Sequence, residues 1–306
     1  MSLVLIRKTA PTAQWLEALR HACPDVEVRV WPDTGPAEDV EFVLSWAADP
    51  GVIAGFPNLR AVFSLGAGVD HILKDATVPA HLPVARMVDP SLTTGMVQYV
   101  CMAVLQRHRG WDAMRAFQRE RAWRRPESTG GRVGIMGLGE LGSACARALQ
   151  GLGFEVAGWS RRPKSLAGIE AYAGADGLDD FLARTDILVN LLPLTAELEN
   201  ILCAETFGRL PRGAYLINVG RGEHLVEADL LAALDAGLLS GATLDVFRVE
   251  PLPADHPFWT RPDIAITPHN ASMTHPGTAA AHVAANIARA RAGQPLLGQV
   301  DRQRGY

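Results

Sequence analysis

Six residues near the middle of the chain, Gly137-Leu138-Gly139-Glu140-Leu141-Gly142, restrict the fold more than any other stretch. A short apolar run, Arg132 to Met136, stands before them, and a small-residue stretch of helical character, Ser143 to Gln150, follows. Strand, glycines and helix in that order suit a dinucleotide. The first glycine makes the tight turn, the second lets backbone approach a pyrophosphate, and the third lets the helix pack close to the strand. The phosphates then rest on the helix N-terminus, where unbonded N–H groups and the dipole favour negative charge. The spacing alone also occurs in plain structural turns, so the flanking strand and helix carry the reading.

The rest of the chain agrees with an α/β fold. Leu3–Ile6, Val26–Val30, Phe42–Ser45 and Ala61–Ser64 read as strands and Thr12–Ala22 as a helix, an alternation that predicts a parallel sheet. A long helical pattern runs from Ser91, a candidate cap, to about Arg109. A second, Trp111–Arg124, is dense in Arg and Trp, residues favoured at interfaces. Further apolar runs stand at Phe154–Trp159, Ile187–Asn190, Ala214–Asn218, Gly241–Leu244 and Ile264–Thr267. With the strand before the glycines they make six, the count of a full dinucleotide-binding fold. The tail, Pro276–Ala292, is Ala-rich and helical.

A chain of 306 residues has room for two domains, and 48% hydrophobic residues can fill more than one core. A net charge of −4 argues against a general nucleic-acid binder. Cys23, Cys101, Cys145 and Cys203 are scattered, with no metal-type spacing, and read as small buried apolar residues of an intracellular, cytoplasmic protein. The apolar start is too short for a signal peptide, and no run approaches the ~20 residues of a bilayer span.

The coenzyme can be read more finely. The strand Phe154–Trp159 ends in Ser160-Arg161-Arg162, and Ser160 lies 23 residues beyond Gly137. An acid near this point would accept bonds from a ribose 2′-hydroxyl. A hydroxyl and two guanidiniums instead suit a 2′-phosphate, which Arg binds bidentately. NADPH is therefore expected over NADH, with NADH still possible.

Three later motifs sit just past strands, where a doubly wound sheet gathers its ligand. They are Leu216-Ile217-Asn218-Val219-Gly220-Arg221-Gly222, Leu244-Asp245-Val246-Phe247-Arg248-Val249-Glu250-Pro251 and Thr267-Pro268-His269-Asn270-Ala271. Taken singly, Arg221, Glu250 and His269 are ordinary loop residues. As a set they resemble the D-2-hydroxyacid dehydrogenase family, and within it the glyoxylate/hydroxypyruvate reductases of the shorter bacterial type. The 29 residues from Arg221 to Glu250 and the 19 from Glu250 to His269 match the family, and the likeness covers nearly the whole chain.

The resemblance implies a catalytic set that the chemistry of a 2-keto acid also demands. Arg221 offers a planar fork to carboxylate and carbonyl oxygen. His269, as imidazolium, gives a proton to the carbonyl oxygen as hydride reaches its carbon. Such help is worth roughly 10²–10⁴-fold. Glu250 would fix the ring and keep it charged near neutrality. Ala67 and Gly68, in Leu65-Gly66-Ala67-Gly68-Val69-Asp70, are expected to offer backbone N–H groups to the substrate carboxylate. Trp46 is expected to wall the substrate, with a core Trp as the rival reading. The coenzyme would touch Gly137, Leu138, Gly139, Glu140, Leu141, Gly142, Ser160, Arg161 and Arg162. The resemblance adds Leu192, Pro193 and Thr195 on the adenosine side, then Val219, Gly220 and His269, with Asp245 at the nicotinamide carboxamide.

The implied architecture is two doubly wound parallel-sheet domains, a Rossmann nucleotide-binding domain and a flavodoxin-like substrate domain, with the active site in the cleft. The substrate domain would take residues 1–95 and a returning C-terminal helix, 277–306, and the dinucleotide-binding domain residues 96–276. A homodimer built on the long helix and the Arg/Trp-rich segment is also implied. Two other readings stay open at this point. One is a D-2-hydroxyacid dehydrogenase for a larger 2-keto acid. The other is a non-catalytic NAD(P)-sensing partner protein on the same fold.

Overall fold

A computed structural model describes residues 2–7 and 12–306. The described residues form, in order, β1 (Ser2–Arg7), α1 (Ala13–Ala22), β2 (Glu27–Val30), β3 (Val40–Trp46), β4 (Ala61–Ser64), α2 (Asp70–Leu73), β5 (Val84–Ala85) and α3 (Pro90–His108). Then come α4 (Trp111–Arg119), β6 (Arg132–Met136), α5 (Glu140–Gly151), β7 (Glu155–Ser160), β8 (Glu170–Ala173), α6 (Leu178–Ala183), β9 (Ile187–Asn190) and α7 (Ala204–Arg209). The last are β10 (Ala214–Asn218), α8 (Glu227–Asp235), β11 (Leu239–Leu244), β12 (Ile264–Ile266) and α9 (Pro276–Arg291). The chain divides into two compact units, Met1–Leu92 with Met273–Tyr306, and Thr93–Ser272.

The first unit holds a five-stranded parallel sheet in the order β2-β1-β3-β4-β5. Period-two alternation sends consecutive residues of one strand into different cores. Leu3 and Leu5 of β1 join Phe42, Leu44, Trp15, Leu19 and Val283, under α1 and α9. Val4 and Ile6 join Val43, Val62, Ile53 and Ile72 on the opposite face. Both faces are therefore covered, as parallel sheets require. Helix α1 meets the sheet through Trp15 and Leu19, one turn apart.

The second unit is a seven-stranded parallel sheet, β12-β11-β10-β9-β6-β7-β8. Strand order reverses between β6 and β9, so a crevice opens beyond their carboxyl ends, the usual ligand position in such sheets. Helix α5 buries Gly142, Cys145, Ala146 and Leu149 on one stripe, small enough for close approach. Met96, Tyr99, Val100 and Val104 of α3 pack on the same core as Val133, Ile135 and Ile217.

Several local expectations need correction. The seven strands of the second unit exceed the expected six because β8, Glu170-Ala171-Tyr172-Ala173, is an edge strand with no apolar run. Strand β5 was hidden in the same way by having two residues. Helix α3 is capped by Asp89, whose carboxylate accepts the Ser91 N–H at 2.6 Å, so Ser91 lies inside the helix. Helix α4 stops at Arg119, and Arg121 has φ +55°, which ends the helical run short of Arg124. Only Cys23 and Cys145 are buried, while Cys101 and Cys203 are half-buried. Among the described residues no helix is long and apolar enough to cross a membrane.

Candidate active site

Of the three glycines in the turn after β6, two are required by internal sterics and one is not. Gly137 has φ +100°, and a Cβ there would lie 2.7 Å from the Leu191 carbonyl oxygen. Gly142 is tighter still, since a Cβ would stand 1.9 Å from the Gly137 carbonyl oxygen. Around Gly139 a Cβ would meet no atom within 4 Å. No internal packing demands that glycine, and it caps the N-terminus of α5, where first-turn N–H groups lack helical partners. The backbone here leaves the open cradle that a pyrophosphate needs.

At the end of β7 the Ser160 hydroxyl donates to the Arg162 carbonyl at 2.7 Å, so it shapes its own turn. Arg161 and Arg162 are exposed, and Arg161 lies 3.9 Å from Glu197. Beyond β9, Leu192 donates its N–H to the Asn190 side chain at 3.2 Å. The Thr195 hydroxyl is buried and finds no hydrogen-bond partner among the described residues. A buried orphan hydroxyl is costly, which fits a group completed by a ligand.

Arg221, Glu250 and His269 follow β10, β11 and β12. His269 Nδ1 and Glu250 Oε2 are 2.7 Å apart, with both side chains about one-third exposed. The other Glu250 oxygen accepts the Phe247 N–H at 2.9 Å, so the carboxylate is fixed from two sides. Burial alone would push the Glu250 carboxyl up. The bonds from His269 and Phe247, with the charges of His269 and Arg221, outweigh it and hold the group below the usual carboxylate range. Glu250 thus lies within the electrostatic reach of both other members of the set. The Arg221 guanidinium donates to the Gly220 carbonyl at 2.8 Å.

His269 has φ +51°, a left-handed conformation uncommon outside glycine. Asp245, almost wholly buried, imposes it. Its carboxylate accepts the N–H groups of Asn270 and Ala271, both at 2.9 Å, and the Thr267 hydroxyl at 2.6 Å. Its carbonyl takes the His269 N–H at 2.8 Å, and the Tyr99 hydroxyl lies 2.5 Å from that of Thr267. Asp245 is therefore committed in large part to the loop that carries His269.

In the first unit, Trp46 ends β3, packs on the core, and meets the His71 ring at a tilt of 50°, with 4.7 Å between ring centroids. It lies so close to Gly66 that a Cβ there would be 2.5 Å from the indole. The Ser64 hydroxyl accepts the Gly66 N–H at 3.2 Å and donates to the Gly68 carbonyl at 2.7 Å, curling the loop around itself. The N–H groups of Ala67 and Gly68 make no hydrogen bond among the described residues.

A family model described as "D-isomer specific 2-hydroxyacid dehydrogenase, NAD binding domain" matches residues 101–271. The glyoxylate/hydroxypyruvate reductase A of Salmonella enteritidis is 42% identical, the alignment covering both chains completely. The chain belongs to the D-isomer specific 2-hydroxyacid dehydrogenase family. Among solved members, a Xanthobacter autotrophicus dehydrogenase in complex with NADPH and MES superposes with TM-score 0.94 at 42% identity, covering 100% of this chain and 99% of the other. An NADPH-dependent glyoxylate/hydroxypyruvate reductase from Sinorhizobium meliloti, in complex with NADP and sulfate, gives 0.93 at 39% identity over both full chains.

Within this dehydrogenase fold, sequence reasoning missed two groups. Lys164 donates its ammonium to the Leu138 carbonyl in the glycine turn. It stands two residues past Arg162 in one basic run, which was the available signal. The other group is Asn190, Asn218 and His224, each with essentially no exposed surface. The two asparagines end strands β9 and β10, which is a weak signal, and nothing in the sequence links His224 to Asn190.

Proposed function

We propose that this dehydrogenase is an NADPH-preferring reductase of small 2-keto acids, glyoxylate or hydroxypyruvate, giving glycolate or D-glycerate. The observation that carries the reading is the His269–Glu250 pair at 2.7 Å with Arg221 in electrostatic reach. Its relatives support the substrate class and the coenzyme. The open Gly139 cradle and the orphan Thr195 hydroxyl fit the coenzyme's phosphates and adenosine side, with Leu138, Glu140, Leu141, Leu192, Pro193, Val219 and Gly220 lining it. When bound, the coenzyme supplies the hydride. Arg161 and Arg162, joined by Lys164, are assigned to its 2′-phosphate, with the Ser160 hydroxyl shaping the turn that presents them.

The protein's own groups do the rest. Arg221 holds the keto acid by its carboxylate and carbonyl oxygen and draws electron density toward that oxygen. His269 then gives its proton from Nε2, the nitrogen opposite Glu250, to the oxygen as the carbon is reduced. Glu250 orients the ring and balances its charge. Asp245 holds the His269 loop, and its second oxygen keeps acceptor capacity for the carboxamide. In the first unit, the Ala67 and Gly68 N–H groups are assigned to a carboxylate and Trp46 to the wall beside it.

Helix α4 buries none of its own residues, Trp111 at its start is exposed and Trp123 beyond its end is wholly exposed, so this segment is assigned to contact with a second copy. Residues 1–95 with 277–306 are read as the substrate domain and 96–276 as the coenzyme domain. Four unbridged cysteines suit the cytoplasm.

The test is loss of reduced-nicotinamide absorbance when purified protein meets glyoxylate or hydroxypyruvate. NADPH should be consumed faster than NADH, and Arg221→Ala should raise KM and lower kcat. No consumption with any small 2-keto acid sinks the proposal, and an unchanged kcat/KM removes Arg221 from the site.

A further inference from the structure

Beneath Arg221 lies a closed set of buried polar bonds that the reaction itself does not use. The Asn190 amide donates to Asn218 Oδ1 at 2.9 Å and to His224 Nδ1 at 2.8 Å. Asn218 Oδ1 also accepts the Gly220 N–H at 3.2 Å, while its amide donates to the Arg221 carbonyl at 3.1 Å. The Arg221 N–H completes the set by donating to His224 Nδ1 at 3.2 Å. Both polar atoms of the Arg221 backbone are thus held from below.

His224 is the joint of this set. Its Nδ1 accepts two N–H groups and carries no proton, so the neutral ring has its proton on Nε2. That nitrogen lies 3.3 Å from the Pro193 carbonyl, to which it donates. One imidazole therefore ties the strand end that presents Arg221 to the loop of Leu192, Pro193 and Thr195. Space is tight as well, since a Cβ on Gly220 would lie 2.8 Å from the Asn190 amide and 3.1 Å from His224 Nδ1.

We propose that His224 is a positioning residue. Through Nδ1 it sets the Arg221 backbone, and hence the direction of the guanidinium toward the keto acid. Through Nε2 it sets the Pro193 loop toward the coenzyme. The inference rests on Arg221 being the substrate-binding cation. It makes the two arms of one ring separable. Asn at this position puts an acceptor where Nδ1 was and drops the Pro193 bond, whereas Gln reaches Pro193 and abandons the Nδ1 position.

The experiment compares wild type with His224→Asn, His224→Gln and His224→Leu, measuring kcat and KM for glyoxylate at saturating NADPH and KM for NADPH at saturating glyoxylate. Leu should lower kcat/KM for glyoxylate on the order of 10- to 100-fold, the cost of a misaligned binding group. Asn should keep that ratio within about threefold of wild type while raising KM for NADPH, as one lost hydrogen bond predicts. Gln should do the reverse. If Leu does not fold, the contrast between Asn and Gln decides. Equal effects of Asn and Gln on both substrates overturn the proposal, as does a folded Leu variant with wild-type kinetics. Should wild type reduce neither glyoxylate nor hydroxypyruvate, the functional reading fails by itself. Crystal structures then test the clamp, which stands if the Arg221 peptide is displaced in Gln but not in Asn, and falls if it is in place in both.

Discussion

Two loops of the second unit present the candidate catalytic groups, and they are held by opposite means. The His269 loop is organised by a charge, with the buried Asp245 carboxylate collecting two backbone N–H groups and a hydroxyl. The Arg221 backbone is held by neutral groups, two amides and one imidazole, while the Arg248 guanidinium holds the Glu223 and Leu225 carbonyls that follow it. The difference follows from what each loop carries. If Arg221 binds the keto acid as proposed, an anion next to its backbone would compete for the guanidinium. At the other loop the Glu250 carboxylate holds the His269 ring and the Asp245 carboxylate holds the backbone that follows it.

The sharpest way to break this contrast is His269→Ala. It removes the proposed proton donor and should cut kcat by roughly 10²–10⁴-fold while leaving coenzyme affinity almost untouched. A drop of similar size in coenzyme affinity would instead mark the ring as a binding group. Asp245→Asn tests the charged support. Replacing a buried acceptor of three hydrogen bonds by a half-donor should cost about 1.5–3 kcal/mol. The readout is a lower denaturant midpoint together with reduced kcat. Normal stability would mean that the loop holds itself.

The pH profile separates the loops further. Glu250 has its folded carboxyl held below the usual range, so its support of His269 is complete above the ordinary carboxylate pKa and is lost as pH falls through the depressed value. Any acid loss of kcat due to Glu250 should therefore fall below the ordinary carboxylate range, and Glu250→Gln should abolish it. An acid limb unchanged in that variant would assign it to another group. The smallest effect is expected at Arg161 and Arg162. Both are exposed, and changing them to Ala should weaken NADPH by about tenfold with little change for NADH, as loss of charge-assisted bonds to one phosphate predicts. Equal weakening of both coenzymes would show that neither residue meets the 2′-phosphate.

Much of this was legible in the residues. Apart from the two-residue β5, the apolar runs marked every strand whose residues are buried on both faces, and the glycine spacing placed the turn at residues 137–142. Arg221, Glu250 and His269 each stand just past a strand, but position alone left them ordinary loop residues, and it was the resemblance of their spacing to the D-2-hydroxyacid dehydrogenases that named them as a candidate set. What escaped notice lacked a local signature. Strand β8 is made by pairing with β7 and not by hydrophobicity, and the Asp89 cap depends on one side chain turning back. His224 reads as a polar residue in a loop until the fold brings it to Asn190, 34 residues away. Asp245 was expected at the coenzyme, and its grip on the next loop could not be read before β11 and β12 were seen side by side.

The unequal crowding around Gly139 and Gly142 has a practical consequence. At Gly142 even one added methyl collides with backbone, so variants there report on folding alone. At Gly139 the same methyl projects into empty space, leaving the protein intact and obstructing only what would lie against it. A Gly139→Ala chain is thus a well-folded decoy, a reference for subtracting the coenzyme's contribution from any measured property of the enzyme.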